Sequence, residues 1–215
     1  MKYRSVAIDG PSGAGKSTIS RTAAGRLGFV YVDTGALYRV IGLRCLETGL
    51  LDLEEIQLSM KFSGGEQRMF DGERDVTEDI RKHEVSKAAS DCSALPEVRA
   101  YLLDLQRDLA KRQDTIMDGR DIGTVVLPDA DLKIFLTASP EDRARRRVAQ
   151  LSQSGDAPPY EQILQDIITR DHNDSTRKEA PLRQAPDAIL LDTTGNTFQQ
   201  SVGLIENLIR EKLGV

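Results

Sequence analysis

The sequence predicts an α/β fold: a doubly wound parallel sheet of five strands with helices on both faces. Short β-branched runs alternate along the chain with segments of helical periodicity, which is typical of parallel sheets that are covered on both faces. The first run leads directly into a glycine-rich turn that opens a helix. With 215 residues, the chain fits one domain, residues 1–215.

The first 48 residues alternate between strand and helix. Apolar, partly β-branched runs predict strands over residues 3–8 and 29–32. Apolar side chains at helical spacing predict helices over 16–27 and 36–47. Gly28 is a typical stop signal for the first helix.

The pattern changes after this region. Short runs over residues 56–62, 67–70 and 75–77 are separated by glycine-containing turns, which predicts a small β insertion. Helices near 80–92 and 96–112 follow it. We assign residues 49–94 to an insertion and residues 1–48 and 95–215 to the core.

The rest of the core continues the alternation, with strands over 115–117, 132–136 and 188–191 and a closing helix over 198–213. Ser139 and Pro140 form a helix start, because a hydroxyl cap precedes a proline at the first helical position. Residues 152–159 are the most loop-like stretch. We assign residues 148–160 to a short lid.

Composition and charge exclude several classes of protein. The net charge is −5, from 29 Lys and Arg against 34 Asp and Glu, which argues against an extended electrostatic binding surface for nucleic acid or anionic lipid. No apolar run approaches the roughly 18 residues of a membrane span. Cys45 and Cys92 form no CxxC pair and no disulfide framework. We expect a cytoplasmic monomer that acts on small molecules.

Residues 10–17 satisfy the pattern G-x-x-x-x-G-K-[ST], the phosphate-binding loop. Its glycines let backbone N–H groups point inward at an anion, and the following helix adds its positive end. The lysine then supplies a point charge, and the hydroxyl after it a ligand for Mg²⁺. This makes the fold class a P-loop NTPase-type sheet. The candidate ATP-binding residues are Gly10, Pro11, Ser12, Gly13, Ala14, Gly15, Lys16, Ser17 and Thr18.

Polar clusters follow three predicted strands, at residues 10–17, 33–35 and 118–121. In open parallel sheets, ligands bind beyond the carboxyl ends of the strands, so we expect the clusters to meet in one crevice. Asp118 resembles the acidic strand end that helps hold the metal in phosphate-binding-loop enzymes, with Ser17 as the second ligand. The alternative is an Asp-Gly pair that only forms a turn.

Arginines outside these clusters have two interpretations. Arg170, Asp174 and Arg177 stand at i, i+4 and i+7, which places them along one helix face. Each of the arginines Arg39, Arg99, Arg170 and Arg177 either lies on a solvated surface or binds phosphate. The same choice applies to a basic run whose members either face solvent or reach the transferring phosphate when a lid closes. The run comprises Arg143, Arg145, Arg146 and Arg147.

Longer blocks are more selective than the phosphate-binding loop alone. Residues 33–39 read Asp-Thr-Gly-Ala-Leu-Tyr-Arg, and residues 118–124 read Asp-Gly-Arg-Asp-Ile-Gly-Thr. With residues 9–17 and the Arg-Asp pattern of 170–182, they are similar to the bacterial cytidylate kinases of the nucleoside monophosphate kinase family. The resemblance covers nearly the whole chain, and the β insertion matches that family's enlarged monophosphate-binding region.

The resemblance implies roles for residues at matching positions. Arg39 and Arg120 would bind the acceptor α-phosphate, and Asp174 the sugar hydroxyls. Thr34 stands where the family often has serine and keeps the hydroxyl. The implied catalytic residues are Lys16, Arg39, Asp118 and Arg120. The implied CMP-binding residues are Thr34, Arg39, Ser90, Arg99, Arg120, Asp121, Arg170, Asp174 and Arg177, of which Ser90, Arg99 and Asp121 would read the cytosine edge.

The implied activity is transfer of the γ-phosphoryl group of ATP to CMP or dCMP, with Mg²⁺, giving ADP and CDP or dCDP. A carboxylate such as Asp121 accepts a hydrogen bond from the exocyclic amine of cytosine, which uracil lacks. Two alternatives remain at this point. One is a small-metabolite kinase in which Asp33 acts as the base for a hydroxyl acceptor. The other is a nucleotide-dependent switch or ATPase module.

Overall fold

The computed structural model describes residues 3–152 and 158–215. Its strands are β1 (Ser5–Asp9), β2 (Val30–Asp33), β3 (Leu58–Ser63), β4 (Glu66–Asp71), β5 (Arg74–Asp75), β6 (Thr115–Gly119), β7 (Leu132–Thr137) and β8 (Ile189–Asp192). Its α-helices are α1 (Lys16–Leu27), α2 (Thr34–Thr48), α3 (His83–Cys92), α4 (Pro96–Ala110), α5 (Pro140–Ser152), α6 (Tyr160–Thr176) and α7 (Phe198–Leu213).

A parallel five-stranded sheet forms the centre, in the order β2-β6-β1-β7-β8, and confirms the predicted fold class. Side chains of β1 alternate between two apolar cores. Val6 and Ile8 pack with α1 and α7, and Ala7 packs with α4 on the opposite face. All three are fully buried, which is typical of a parallel strand that is covered on both faces.

The register of the sheet aligns the polar strand ends. Asp33 at the end of β2 lies opposite Asp118 of β6, and Asp9 at the end of β1 lies opposite Gly119. The three clusters predicted to meet therefore follow three neighbouring strands at one edge of the sheet.

The predicted β insertion is a separate antiparallel sheet, in the order β3-β4-β5. It packs with α2, α3 and α4 around a second apolar core. Helices α2 and α3 lie in close contact, because a Cβ at Gly42 would stand 2.7 Å from the amide nitrogen of Ala89. One helical turn further, the Sγ atoms of the free thiols Cys45 and Cys92 are 3.6 Å apart, a proximity that their sequence separation does not predict.

Several boundaries differ from the sequence prediction. Helix α2 begins at Thr34 rather than at residue 36, because the Asp33 carboxylate accepts a hydrogen bond from the amide of Ala36 and caps the helix there. The third insertion strand is residues 74–75 rather than 75–77. A 3₁₀ turn, Asp79–Arg81, precedes α3. A π-helical segment, Ile122–Val126, was not predicted.

Residues 153–157 of the assigned lid lie outside the described residues. Within the described part, α5 and α6 flank that stretch and pack on each other through Ala144, Ile163 and Ile167. None of the helices in the two described ranges has the length and apolar character needed to cross a bilayer.

The contact between α2 and α3 gives a stability prediction. Gly42→Ala forces a methyl group against backbone, so we expect a loss of about 1–3 kcal/mol in the free energy of unfolding, measured by urea denaturation. Gly25→Ala is the matched control: Gly25 is exposed on α1 with open space around it, and alanine there should stabilise by about 0.5–1 kcal/mol. A Gly42→Ala variant as stable as the wild type would contradict the packing described.

Candidate active site

The phosphate-binding loop joins β1 to α1 and depends on a glycine at its first position. Gly10 has φ of 150°, and a Cβ there would lie 1.9 Å from the carbonyl oxygen of Leu136 on β7. Glycine is the one residue that allows this approach. Helix α1 begins at Lys16, directly after the left-handed Gly15, so its free N–H groups face the loop.

Lys16 is buried beneath the loop, and its Nζ donates to the carbonyl oxygen of Pro11 at 2.8 Å. Burial lowers the pKa of Lys16 to about 7, and the positive charge of Arg120 adds to this effect. The carboxylates of Asp118 and Asp9 act in the opposite direction. A further negative group bound beside Lys16 would therefore raise its pKa and favour the protonated form.

Asp118, at the end of β6, connects several elements. Its carboxylate accepts from Ser17 Oγ of α1 at 2.8 Å and from the Tyr31 hydroxyl of β2 at 3.0 Å. Its carbonyl oxygen accepts from Thr34 Oγ1 at 2.7 Å, so the predicted Thr34 hydroxyl donates to the backbone. Burial raises the pKa of Asp118 to about 6, and the neighbouring charge of Asp33 adds to the rise.

Ser17 and Asp118 bring together a hydroxyl and a carboxylate, the hard oxygen donors that Mg²⁺ prefers. Across residues 3–152 and 158–215, no group of three or more His, Cys, Asp or Glu side chains is arranged to hold a metal ion. A Mg²⁺ ion at this place would therefore complete its shell with substrate phosphates and water, its usual arrangement in phosphoryl-transfer sites.

Asp9, which sequence reasoning treated only as part of a motif, fixes the backbone after β6. Its carboxylate accepts from the amides of Ile122 and Gly123 at 2.8 and 2.7 Å. Burial raises the pKa of Asp9 to about 6, although these hydrogen bonds oppose the rise. At the other end of this π-helical segment, Arg107 donates to the carbonyl oxygens of Val125 and Val126. The segment begins beside Asp121 and holds it in place.

Most of the predicted arginines are paired with carboxylates across the carboxyl edge of the sheet. Arg39 Nη2 lies 2.5 Å from Asp33 Oδ2, and Arg120 Nε donates to Asp174 Oδ2 at 2.8 Å. A third pair joins Arg99 of α4 to Asp121. These pairs tie the ends of β2 and β6 to α2, α4 and α6. Burial opposes ionisation of Asp174, but Arg120 and Arg170 outweigh it and lower its pKa.

Arg170 has no such partner at its Nε atom. This atom is buried without a hydrogen-bond partner among the described residues, and so is Nε of Arg39. Burial lowers the pKa of Arg170 to about 10, and the charge of Arg120 adds to this effect. A buried donor without an acceptor is costly. Both atoms therefore mark positions where an external acceptor would be favourable.

Arg177 departs from the predicted helix face. Helix α6 ends at Thr176, and Arg177 follows it in an extended conformation. Its Nε and Nη2 donate to the carbonyl oxygen of Ala180. Burial lowers the pKa of Arg177, and the charge of Arg99 contributes, which places Arg177 beside the Arg99–Asp121 pair rather than in solvent.

Ser90, which was predicted with Arg99 and Asp121 to read the cytosine edge, lies half-buried on α3. The backbone carbonyl of Ser90 accepts from Ser93 Oγ, and the carbonyl of Ser93 accepts from Arg99 at 3.1 Å. Arg99 also lies over the ring of Tyr38, 5.6 Å from its centroid. Tyr38 belongs to the block of residues 33–39, but its role as a platform under Arg99 was not predicted.

The four arginines of the basic run on α5 do not share one environment, so neither a solvated face nor contact with the transferring phosphate describes all of them. Arg143 is buried and donates to the Ser12 carbonyl of the phosphate-binding loop at 2.8 Å and to Asp171 at 2.5 Å. Arg146 donates to the Thr193 carbonyl at 2.6 Å. Arg146 also donates to the Ala14 carbonyl of the loop at 3.4 Å. Neither side chain is therefore simply solvated, and contact of either arginine with the transferring phosphate on lid closure stays a prediction. Arg145 is exposed, and Arg147 contacts Gln150 on its own helix.

Comparison with known proteins identifies the family. The cytidylate kinase family profile matches residues 6–211. A cytidylate kinase of Exiguobacterium sp. (strain ATCC BAA-1283 / AT1b) is 49% identical over 98% of each chain. A cytidylate kinase of Caldicellulosiruptor saccharolyticus is 48% identical over 100% of this chain and 99% of the relative. The chain belongs to the cytidylate kinase family.

A solved structure adds evidence on the fold alone. The crystal structure of an uncharacterized protein from Eubacterium ventriosum ATCC 27560 aligns with a TM-score of 0.59 at 11% identity, over 98% of this chain and 99% of that chain. The cytidylate kinase architecture of the parallel sheet is therefore shared at very low sequence identity.

The burial of Asp118 has a consequence for stability. Since folding raises its pKa from 3.8 to about 6, ionisation in the folded state costs free energy above pH 6 and nothing below pH 4, where the group is protonated in both states. We expect Asp118→Asn to raise the free energy of unfolding by about 1–3 kcal/mol at pH 7.5, and this gain to shrink as the pH falls from 6 to 4.

The measurement is urea unfolding followed by circular dichroism at several pH values. Asp129→Asn, at an exposed position, serves as the control and should change the unfolding free energy little at any pH. An Asp118→Asn variant less stable than the wild type at pH 7.5 would show that the ionised carboxylate stabilises the fold.

Proposed function

We propose that the chain transfers the γ-phosphoryl group of ATP to the α-phosphate of CMP or dCMP, giving ADP and CDP or dCDP. The observation that carries the proposal is the pair of buried Nε atoms of Arg39 and Arg170, which lack acceptors among the described residues. A phosphate dianion supplies several acceptor oxygens to planar guanidinium groups. The charges of Arg39 and Arg120 act on Arg170, and the charge of Arg120 acts on Lys16 of the phosphate-binding loop, which supports a second phosphate-bearing substrate next to the first.

On the donor side, the loop N–H groups and the start of α1 bind the ATP phosphates, and Lys16 supplies a positive charge to the β and γ phosphates. Burial lowers the pKa of Lys16, and the negative charge of the bound triphosphate raises it again, so the lysine is protonated when ATP is bound. Ser17 and Asp118 would hold Mg²⁺, which supplies charge neutralisation at the phosphates. Loop residues from Gly10 to Gly15, with Thr18 at the first turn of α1, complete this ATP site in the proposal.

On the acceptor side, Arg39, Arg120 and Arg170 bind the α-phosphate of the monophosphate. The second phosphate pKa is near 6, so the nucleophile is largely ionised at neutral pH and needs no general base. The barrier lies in bringing two polyanions into line, and fixed cationic groups reduce it by electrostatic stabilisation and orientation. The carboxylate partners of Arg39 and Arg120 hold these groups in place before substrate binds.

Base selection is assigned to the pair of Asp121 and Arg99, with Ser90 nearby. Asp121 is buried, so its carboxylate makes few hydrogen bonds with water and discriminates strongly between an amine and a carbonyl on the base. Asp174 contacts the sugar hydroxyls, and Thr34 lines this side from the start of α2. Arg177 stands beside the base and sugar.

The rival small-metabolite kinase needs Asp33 as a free base. The Asp33 carboxylate is instead engaged by Arg39 and by the amide of Ala36. With both oxygens engaged in this way, the carboxylate is not placed to take a proton from a hydroxyl acceptor, which favours the monophosphate acceptor. The free thiols Cys45 and Cys92 fit a reducing cytoplasm, and we propose a monomer that acts on free nucleotides rather than on nucleic acid or membranes.

Initial rates with ATP and Mg²⁺ and each of CMP, dCMP, UMP, AMP and GMP test the proposal. We expect CMP and dCMP to be the preferred acceptors in the wild type. Asp121→Ala should lower kcat/KM for CMP by about 100-fold or more and narrow the preference for CMP over UMP, because the discriminating acceptor is lost. Asp129→Ala is the exposed control. A wild type that prefers AMP, or an Asp121→Ala variant with an unchanged preference, would contradict the assignment.

Lys16→Ala tests the donor side separately. If the lysine stabilises charge that develops on the transferred group, kcat should fall by about 10²–10³. The fall should appear with every acceptor, since Lys16 contacts ATP and not the base. Turnover that stays at the wild-type level in Lys16→Ala would mean that the phosphate site is misassigned.

A further inference from the structure

Gln67 is a polar residue of the small sheet that no motif singled out. It lies half-buried on β4, on the same side of the strand as the fully buried Met69. Its side-chain Oε1 accepts from the backbone amide of Asp33 at 2.8 Å, and its Nε2 donates to the backbone carbonyl of Asp33 at 3.2 Å. One side-chain amide therefore satisfies both backbone groups of a single residue.

The position of these bonds is informative because β2 is the edge strand of the central sheet. Strand β2 pairs with β6 on one side only, so the backbone on its other side has no strand partner. At Asp33, the amide of Gln67 takes the place of such a partner. This contact joins the small sheet to the central sheet at the carboxyl end of β2.

Asp33 is also the residue that orients Arg39. Its Oδ1 caps α2 at Ala36, and its Oδ2 pairs with Arg39 at 2.5 Å. The direction of this carboxylate depends on the backbone of Asp33, which Gln67 holds at two atoms. A chain of contacts thus runs from β4 through Gln67 and Asp33 to the guanidinium group of Arg39, whose Nε has no acceptor within the part of the chain that the structure describes.

We propose that Gln67 is a positioning residue for the acceptor phosphate: by holding the backbone of Asp33, it fixes the Asp33–Arg39 pair that receives the monophosphate. The inference rests on the proposed function and adds a residue to it. Gln67 touches no reacting atom. Its effect falls on acceptor binding and leaves the ATP side, which is built on β1 and α1, unchanged.

Other contacts attach the small sheet at a different place. Arg44 pairs with Asp71, and Arg74 pairs with Glu47, both toward the carboxyl end of α2. These ion pairs are partly or largely exposed, so they contribute little to stability. The apolar core that the small sheet shares with α2, α3 and α4, with Met69 of β4 fully buried in it, keeps the sheet in place when Gln67 is replaced. A Gln67 variant is therefore expected to fold while losing the contact at the strand end.

The test compares Gln67→Leu and Gln67→Glu with Arg68→Leu. Arg68 is the matched control: it neighbours Gln67 on β4 but points to the exposed side, where it pairs with Asp75. We expect Gln67→Leu to raise KM for CMP about tenfold, the effect of losing two hydrogen bonds of ordinary strength, while KM for ATP stays within about twofold. Arg68→Leu should leave both constants near the wild-type values.

Gln67→Glu separates the hydrogen-bond role from simple packing. Its ionised carboxylate still accepts from the Asp33 amide, but it cannot donate to the Asp33 carbonyl and adds a negative charge beside Asp33, so KM for CMP should rise further than in Gln67→Leu at pH 8.

Three outcomes would overturn the inference. One is a Gln67→Leu variant whose KM for CMP stays within twofold of the wild type. Another is an equal loss for CMP and ATP together with a lowered Tm, which indicates general destabilisation. The third is a wild type that phosphorylates no cytidine nucleotide, which overturns the proposed function as well. Wild-type activity toward CMP with an unaffected Gln67→Leu variant overturns the role of Gln67 alone.

Discussion

The rest of the site depends on one buried carboxylate, that of Asp118 at the end of the strand β6. It accepts hydrogen bonds from Ser17 and Tyr31, and its backbone carbonyl accepts one from Thr34. These contacts bring the first turn of α1, the strand β2 and the first turn of α2 to one point. An ionised carboxylate without water is unfavourable, so the site carries a free-energy cost that the apolar cores on both faces of the sheet must offset.

A second constraint is the balance of charge around that point. The chain is acidic overall, yet three arginines near the carboxyl edge of the sheet, Arg39, Arg99 and Arg120, are each held by a carboxylate. Pairing keeps the arginines oriented and limits their mutual repulsion, while Nε of Arg170 has no acceptor among residues 3–152 and 158–215. A polyanion entering this site meets dipoles and charges that are already in place, which is the condition for electrostatic catalysis.

The main helices and strands could be predicted from the sequence because each depends on residues that are close together in the chain. The phosphate-binding loop, the helix start at Ser139 and Pro140, and the strand runs depend on neighbouring residues, and the structure confirms them. Contacts between distant segments were not predictable. The burial of Arg143 against Ser12 and Asp171, and the contact of Gln67 with Asp33, depend on the packing of whole elements. Neither residue stands in a pattern that indicates its partner.

The resemblance to a family supplied residue roles, whereas the structure supplies their physical connection. Spacing alone placed Arg177 on a helix face with Arg170, but the helix ends before it, and an extended residue carries the guanidinium to Ala180. Spacing also gave no sign of the π-helical segment at Ile122–Val126, which Asp9 and Arg107 hold in place. Such irregular backbone is common at functional sites and is not encoded in a simple periodicity.

A crystal structure of the chain with CMP and a non-hydrolysable ATP analogue tests the central claim most directly. The account predicts that the CMP phosphate accepts hydrogen bonds from Nε of both Arg39 and Arg170, with the cytosine amine donating to Asp121. A CMP phosphate bound away from both Nε atoms, or a cytosine ring that makes no contact with Asp121, would contradict it.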